Sequence, residues 1–477
     1  MKKKLGVTAA SLFMAGAMAA SIGLTGCNKV QIYDFEMPEG GFDTETPVEI
    51  MFYNTMGQNL ESVLTGAISR FEELYPNITV KYDRSSGDYD TLRDKLSTEI
   101  QTGVQPNVAF CYPDHVALYN QSGVVLTLDD FLPDGKYKDM TVTNTKGEES
   151  LGLSQAQLDD YISTYFDEGK EFGDGKLYTL PFAKSTEVMY YNKSFFEDHK
   201  DELTEPTDNM TWEDLFTLCE KIKKIDKDCV PLGIDSESNL FITLCEQSGT
   251  DYTSSTGEHY LFNNADNKAF VQKFKDWYGK GLFTTQTINK SYTSNLFKEQ
   301  KSYISIGSSA GAQYQAPDPT DGNAIFNVGI VTIPQVNPDK PKSISQGPSI
   351  CIFKQKNPQE VLASWLFSKF ITTELQFQAL YSMTSGYVPV INSVFENKLY
   401  KDHLAKASGL KNGITALSAN VCKKLVDDKA YYVSPAFLGS SKARDEVGIL
   451  MVAALTGAKS IDQAFADAIQ ECKYFAG

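Results

Sequence analysis

The chain has 477 residues, with 44 Lys and Arg against 61 Asp and Glu, a formal charge of −17 at pH 7, and 42% apolar residues. That length accommodates two or three domains and a sizeable core. The acidic balance, without a Lys/Arg cluster, argues against nucleic acid as a partner, because that affinity rests on neutralising phosphates, and against anionic ligands unless the site is locally positive.

Lys2, Lys3 and Lys4 precede an uncharged run from Leu5 to Leu24 that is rich in Ala and Gly and ends in Leu24-Thr25-Gly26-Cys27. A positive start, an apolar centre and small residues at the end describe a secretory signal over residues 1–26. The last four residues resemble the lipobox of bacterial lipoproteins, which implies lipid attachment at Cys27 and a place on the extracellular face of the cell membrane. A run of about 20 apolar residues also has the length of a membrane helix, but Gly6, Gly16, Gly23 and Gly26 dilute it. No later stretch is long and apolar enough to span. Residues 27–47 read as a lipid-anchored flexible tether, being polar, acidic and rich in Gly and Pro.

Val48 to Tyr53 reads as a strand, and Leu60, Val63, Leu64, Ala67, Ile68, Phe71 and Leu74 recur at helical spacing. Pro76-Asn77 stops that helix, and Ile78 to Tyr82 alternates like a second strand. A helix carrying Leu92, Leu96 and Ile100 follows, then the strand Val108–Cys111. This β-α-β-α-β order predicts a mainly parallel sheet covered by helices. Residues 133–175, rich in Gly, Asp and Lys, read as an insertion. Thr211 begins a helix with Leu215, Leu218, Ile222 and Ile225. Ser302–Ile306 and Val328–Val331 read as strands, and Val361 to Leu380 as one long helix. The fold class is α/β in two lobes, since one sheet rarely organises so long a chain.

After Cys27, seven cysteines remain, an odd number that excludes complete pairing within the chain. Most sit in apolar stretches, as buried small hydrophobes do; Cys219 and Cys229 either bridge or join them. Gly307-Ser308-Ser309-Ala310-Gly311 fits the nucleophile elbow of a serine hydrolase at Ser309. However, only His403 lies beyond it, in a segment that reads as an exposed helix, and no His-Gly-Gly-Gly segment is present. His115, His199, His259 and His403 are scattered, so no metal site is expected. No Gly-rich phosphate loop appears, and no cofactor is implied.

Five segments carry a resemblance: Leu180 to Lys193, Thr211-Trp212-Glu-Asp-Leu215, Ser302 to Gly311, Gln346-Gly347-Pro-Ser349, and Ser385-Gly386-Tyr387-Val388-Pro389-Val390. In this order and spacing they resemble the solute-binding proteins of bacterial ABC importers, the family that includes maltose- and glycerol-3-phosphate-binding proteins. The resemblance covers roughly residues 47 to 470. It implies a periplasmic-binding-protein-like fold of type II, with residues 48–183 plus 350–387 as one lobe and 184–349 plus 388–477 as the other. Crossings fall near Ala183–Glu187, Ser343–Ser349 and Ser385–Val390, and the ligand lies in the cleft. It further implies a monomer that catalyses nothing and delivers its solute to membrane permease subunits.

Carried over residue by residue, the resemblance implies ligand contacts from Tyr89 in Gly87-Asp88-Tyr89, from Ser185 in Phe182-Ala-Lys-Ser-Thr, and from Ser308, Ser309, Gly347 and Tyr387. Two positions depart from the glycerol-3-phosphate-binding pattern. The acidic residue expected after Tyr112 is displaced to Asp114, and the phosphate-pairing arginine expected before Leu438-Gly439 is Phe437. A desolvated phosphate without a bidentate arginine loses charge-assisted bonds, although Lys184 supplies a point charge and Arg444 follows seven residues on. Tyr89, Tyr112, Trp212, Tyr387 and Phe437 would instead stack on sugar rings. The sequence therefore favours a carbohydrate, with glycerol-3-phosphate or a phosphodiester polyol as the alternative.

Overall fold

The computed structural model describes residues 32–318, 320 and 322–476; the signal segment and Cys27 lie outside the described residues. Two five-stranded sheets organise the chain. In the first, Val48–Tyr53 runs parallel to Ile78–Asp83 and to Val108–Cys111, and Ser349–Ile352 joins antiparallel between Val108–Cys111 and Leu180–Pro181. In the second, Glu187–Asn192 lies antiparallel between Val328–Thr332 and Ile304–Ser308, which continues in parallel to Leu232–Ile234 and Phe283–Thr285.

Every residue of Glu187–Asn192 is buried, because the second sheet is covered on both faces. Successive side chains of a strand point to opposite faces. Val188 and Tyr190 accordingly join the core that runs through the first lobe, and Met189 and Tyr191 join the second core. Helix Ile414–Asp427 lies against Val328–Thr332, and Trp212–Ile225 and Glu237–Ser248 contribute to the second core.

Most predicted elements stand within two residues of their expected bounds: helix Glu61–Leu74, helix Tyr89–Thr102, and helix Trp212–Ile225 with Thr211 and Asp214 forming a capping box. The predicted strand 302–306 is displaced to Ile304–Ser308. The single helix expected over 361–380 is two, Pro358–Thr373 and Leu375–Ser385. Glu374 breaks it by adopting an extended backbone while its carboxylate accepts the Phe377 N–H and pairs with Arg70 at 2.9 Å.

Part of the expected tether is docked. Phe42 is buried against Tyr75, and the Asn77 amide donates to the carbonyls of Asp43 and Thr46. Residues 133–175 contribute Tyr137, Val142, Leu151, Tyr161 and Tyr165 to the first core. All seven cysteines from Cys111 onward are buried free thiols, so Cys219 and Cys229 form no bridge. No helix among the described residues is long and apolar enough to cross a membrane.

The three crossings meet as one hydrogen-bonded hinge. Lys184 exchanges backbone bonds with Val388 (3.1 and 2.6 Å), and Ser185 does so with Gln346 (2.9 Å each way). Gly347 sits at φ +96°, and a Cβ there would collide with the Ala183 carbonyl oxygen. Only glycine allows this close approach of two crossing strands.

Candidate functional site

Between the lobes lie two connected chambers of about 640 and 690 Å³. They share Tyr89, Ser236, Asn239, Tyr292, Ser308, Gln346 and Tyr387. Most of these residues stand at strand ends and helix starts, where backbone irregularity places side chains into a crevice. Asp88 caps helix Tyr89–Thr102 by accepting the Thr91 N–H at 2.8 Å, which fixes Tyr89 as the first helical residue. Tyr112 precedes Pro113 at the start of helix Pro113–Tyr119. Ser236 caps Glu237–Ser248 through the Asn239 N–H.

On the first lobe's side the tyrosines form a continuous wall. The Tyr89 and Tyr387 hydroxyls are 3.1 Å apart, and the Tyr89 and Tyr112 rings are 4.8 Å between centroids. Burial pushes the Tyr89, Tyr112 and Tyr387 hydroxyls above their ordinary range, so all three stay neutral. Burial also lowers His115, against the pull of Asp114, keeping the ring uncharged near pH 7.

From the second lobe come Glu187, Asn239 and Arg444 in a chain. Glu187 accepts the Asn239 amide at 3.1 Å, and the Arg444 Nη1 donates to Asn239 Oδ1 at 2.8 Å. Arg444 Nε also faces Asp114 Oδ2 of the first lobe at 3.5 Å. Burial pushes Glu187 up to about 7 despite the Asn239 bond, and Asp235 pushes the same way. Burial works against the Arg444 charge, but Asp114 and the tyrosines around it outweigh that effect.

Of the residues chosen from sequence, Tyr89, Tyr112, Asp114, Ser185, Ser308 and Tyr387 line the cleft. Five others line neither chamber. Lys184 is wholly buried, with its ammonium bound to Glu168 at 2.8 Å, Ser349 Oγ at 3.0 Å and the Gly347 carbonyl at 3.3 Å. It is a hinge cation, unable to meet a phosphate. Trp212 packs on Phe274 and donates its indole N–H to Gln247. Phe437 stacks on His259 at 4.5 Å inside the second core. Gly347 serves the hinge backbone. Ser309 is fully buried and its Oγ accepts the Thr186 N–H at 3.1 Å, leaving no exposed nucleophile. His403, expected on an exposed helix, is only partly exposed and lies against Tyr400.

The cleft residues missed from sequence are chiefly Glu187, Asp235, Asn239, Tyr292 and Gln346. Glu187 carried a signal, as a carboxylate opening an otherwise apolar strand. Asn239 and Tyr292 carried none, since they reach the cleft only through tertiary folding.

The sequence pattern of the bacterial extracellular solute-binding proteins matches residues 66–407. The sn-glycerol-3-phosphate-binding periplasmic protein UgpB of Escherichia coli (strain K12) is 22% identical over 359 residues, covering 73% of this chain and 75% of its own length. Among solved structures, UgpB from Mycobacterium tuberculosis in complex with glycerophosphocholine aligns with a TM-score of 0.70 at 17% identity, over 90% of this chain and 98% of that one. The GacH receptor of Streptomyces glaucescens, solved unliganded and with acarbose, gives 0.67 at 17% identity, over 90% and 99%. These structures share the two-lobed α/β architecture built here.

Proposed function

The chain belongs to the bacterial extracellular solute-binding proteins, and from that premise we propose that it is the receptor of an ABC importer that captures a carbohydrate between its lobes and delivers it to the membrane permease. The observation that carries the sugar reading is the charge and chemistry of the cleft wall. Its charged lining residues are seven carboxylates (Asp88, Asp90, Asp114, Glu168, Glu187, Asp235 and Asp445) against three cations (Arg93, Lys298 and Arg444). Lys184 neutralises Glu168 from behind, but the surplus remains negative and would repel a phosphate. Arg444 is already held by Asp114 and Asn239, and Arg93 by Asp90 and Asp94. Tyrosine faces beside amides and hydroxyls suit sugar rings, which are apolar on their faces and polar at their edges.

Closure follows from contacts on both lobes: a solute that touches both stabilises the closed arrangement by its differential affinity. Lipid on Cys27 would hold the receptor near its permease and raise its local concentration there. A glycerophosphodiester solute is the second reading; the two arginines lining the 690 Å³ chamber and the glycerophosphocholine held by the mycobacterial UgpB favour it. A thermal-shift screen of neutral sugars, glycerol-3-phosphate and glycerophosphocholine separates the two. A ligand at 100 times its dissociation constant stabilises by about 2.7 kcal/mol. Shifts by sugars support the proposal, and a shift by the phosphates alone refutes it.

A further inference from the structure

Two carboxylates line the second lobe's side of the 640 Å³ chamber, and each keeps one oxygen without a donor among the described residues. Glu187 is 3% exposed; its Oε1 takes the Asn239 amide, and its Oε2 has no donor among the described residues. Asp235 Oδ1 accepts both the N–H and the hydroxyl of Thr293 at 2.8 and 2.7 Å, while its Oδ2 has no donor among the described residues. Gln315 is 2% exposed, and its side-chain carbonyl oxygen is buried without a partner among the described residues. All three line the same chamber. The sheet explains why the two carboxylates lie near each other. Glu187 pairs with Ser308, next to Gly307, where a Cβ would stand 2.7 Å from Asp235 Oδ2.

Resting on the carbohydrate reading above, we propose that this acceptor set takes a protonated amine of the solute, so that the captured carbohydrate is an amino sugar. An ammonium carries three donors and no acceptor, which suits two carboxylates that each keep an oxygen without a donor. A hydroxyl brings one donor, and its lone pairs would then face carboxylate oxygens. Tyr89, Tyr381 and Tyr387 line the same chamber, and tyrosine rings also favour a cation placed over their faces.

The charged groups around Glu187 are consistent with this assignment. Asp235 raises its proton affinity, Glu237 stands behind Asp235, Arg444 acts through Asn239, Lys298 lines the same chamber, and Tyr432 is neutral. Burial holds Glu187 at about 7. A bound ammonium therefore favours the ionised carboxylate and displaces its proton to solvent.

The test is titration calorimetry of the full chain at pH 6.5 with matched pairs: glucosamine and glucose, galactosamine and galactose, the glucosamine disaccharide and cellobiose, with N-acetylglucosamine as the uncharged nitrogen control. The expected result is an amine that binds at least tenfold tighter than its neutral partner, with proton release read as a buffer-dependent heat. Glu187→Gln, or Asp235→Asn as the independent variant, should reduce that preference at least tenfold. Equal or tighter binding of the neutral partner overturns the amine assignment and leaves the carbohydrate reading standing. A preference unchanged in both variants also overturns the assignment. Binding by none of these sugars overturns the amino-sugar assignment, while the carbohydrate reading is decided by the thermal-shift screen.

Discussion

Glu187 makes the stability of this protein depend on pH in a direction opposite to that of an ordinary salt-bridged carboxylate. Its carboxyl titrates at about 7 in the folded chain and near 4.5 when unfolded. Between those values the folded state holds a proton that the unfolded state lacks, so stability falls as pH rises through the window. At 1.36 kcal/mol per pH unit, the full effect is about 3 kcal/mol, most of it between pH 5 and 8. With only 3% exposure the group needs no discount for solvent screening. Glu187→Gln keeps the side-chain shape and removes the ionisation, so the variant should match the wild type near pH 5 and exceed it by roughly 2–3 kcal/mol at pH 8. Asp445 is also raised by burial, but it acts equally in both proteins and cancels in the difference. Denaturant unfolding of the two proteins at pH 5 and pH 8 measures it. Parallel pH dependence in both would refute the burial argument for Glu187.

Other positions give further tests. Gly347→Ala forces a side chain onto a left-handed backbone against the Ala183 carbonyl; a loss of about 2 kcal/mol or more is expected by denaturant unfolding. Lys184→Ala leaves Glu168 buried without its cation and should cost about 3–5 kcal/mol, seen as a lowered melting temperature. Arg444 and Asp445 face Asp114 and Arg93 across the cleft mouth at 3.5 and 3.9 Å, so Arg444→Ala should weaken closure by up to about 1 kcal/mol. Small-angle scattering of the unliganded variant would then report a larger radius of gyration, and 1 M salt should produce the same change in the wild type.

Much of the fold was legible because it rests on local periodicity. The alternation in Ile78–Asp83 and the 3–4 spacing from Leu64 to Phe71 locate a strand and a helix wherever the rest of the chain goes. The break at Glu374 escaped because apolar residues continue on both sides of it, and the break depends on a side chain capping Phe377. The site was half legible. Tyr89, Ser308 and Tyr387 sit in motifs that the chain order brings to the cleft. Lys184 and Glu187 offered the same signal, a charge within the largely apolar stretch from Leu180 to Tyr191, yet their fates diverge. Lys184 meets Glu168 and Ser349, which arrive from elsewhere in the chain, and it becomes structural. Among the described residues, Glu187 meets only an amide and keeps one oxygen without a donor. No spacing in the sequence distinguishes those outcomes, because both partners are set by tertiary contact. Phe437 misled for the same reason: its ring found His259 rather than the cleft.

Titration calorimetry of the sugar that gives the largest thermal shift, against the wild type and Tyr89→Ala/Tyr387→Ala, tests the central claim most directly. On the proposed reading the tyrosine wall between the lobes is the capture surface, so the double variant should lose at least 100-fold in affinity, about 2.7 kcal/mol, while far-UV dichroism shows the fold retained. Affinity unchanged in the folded double variant would place the solute outside the cleft and contradict the account.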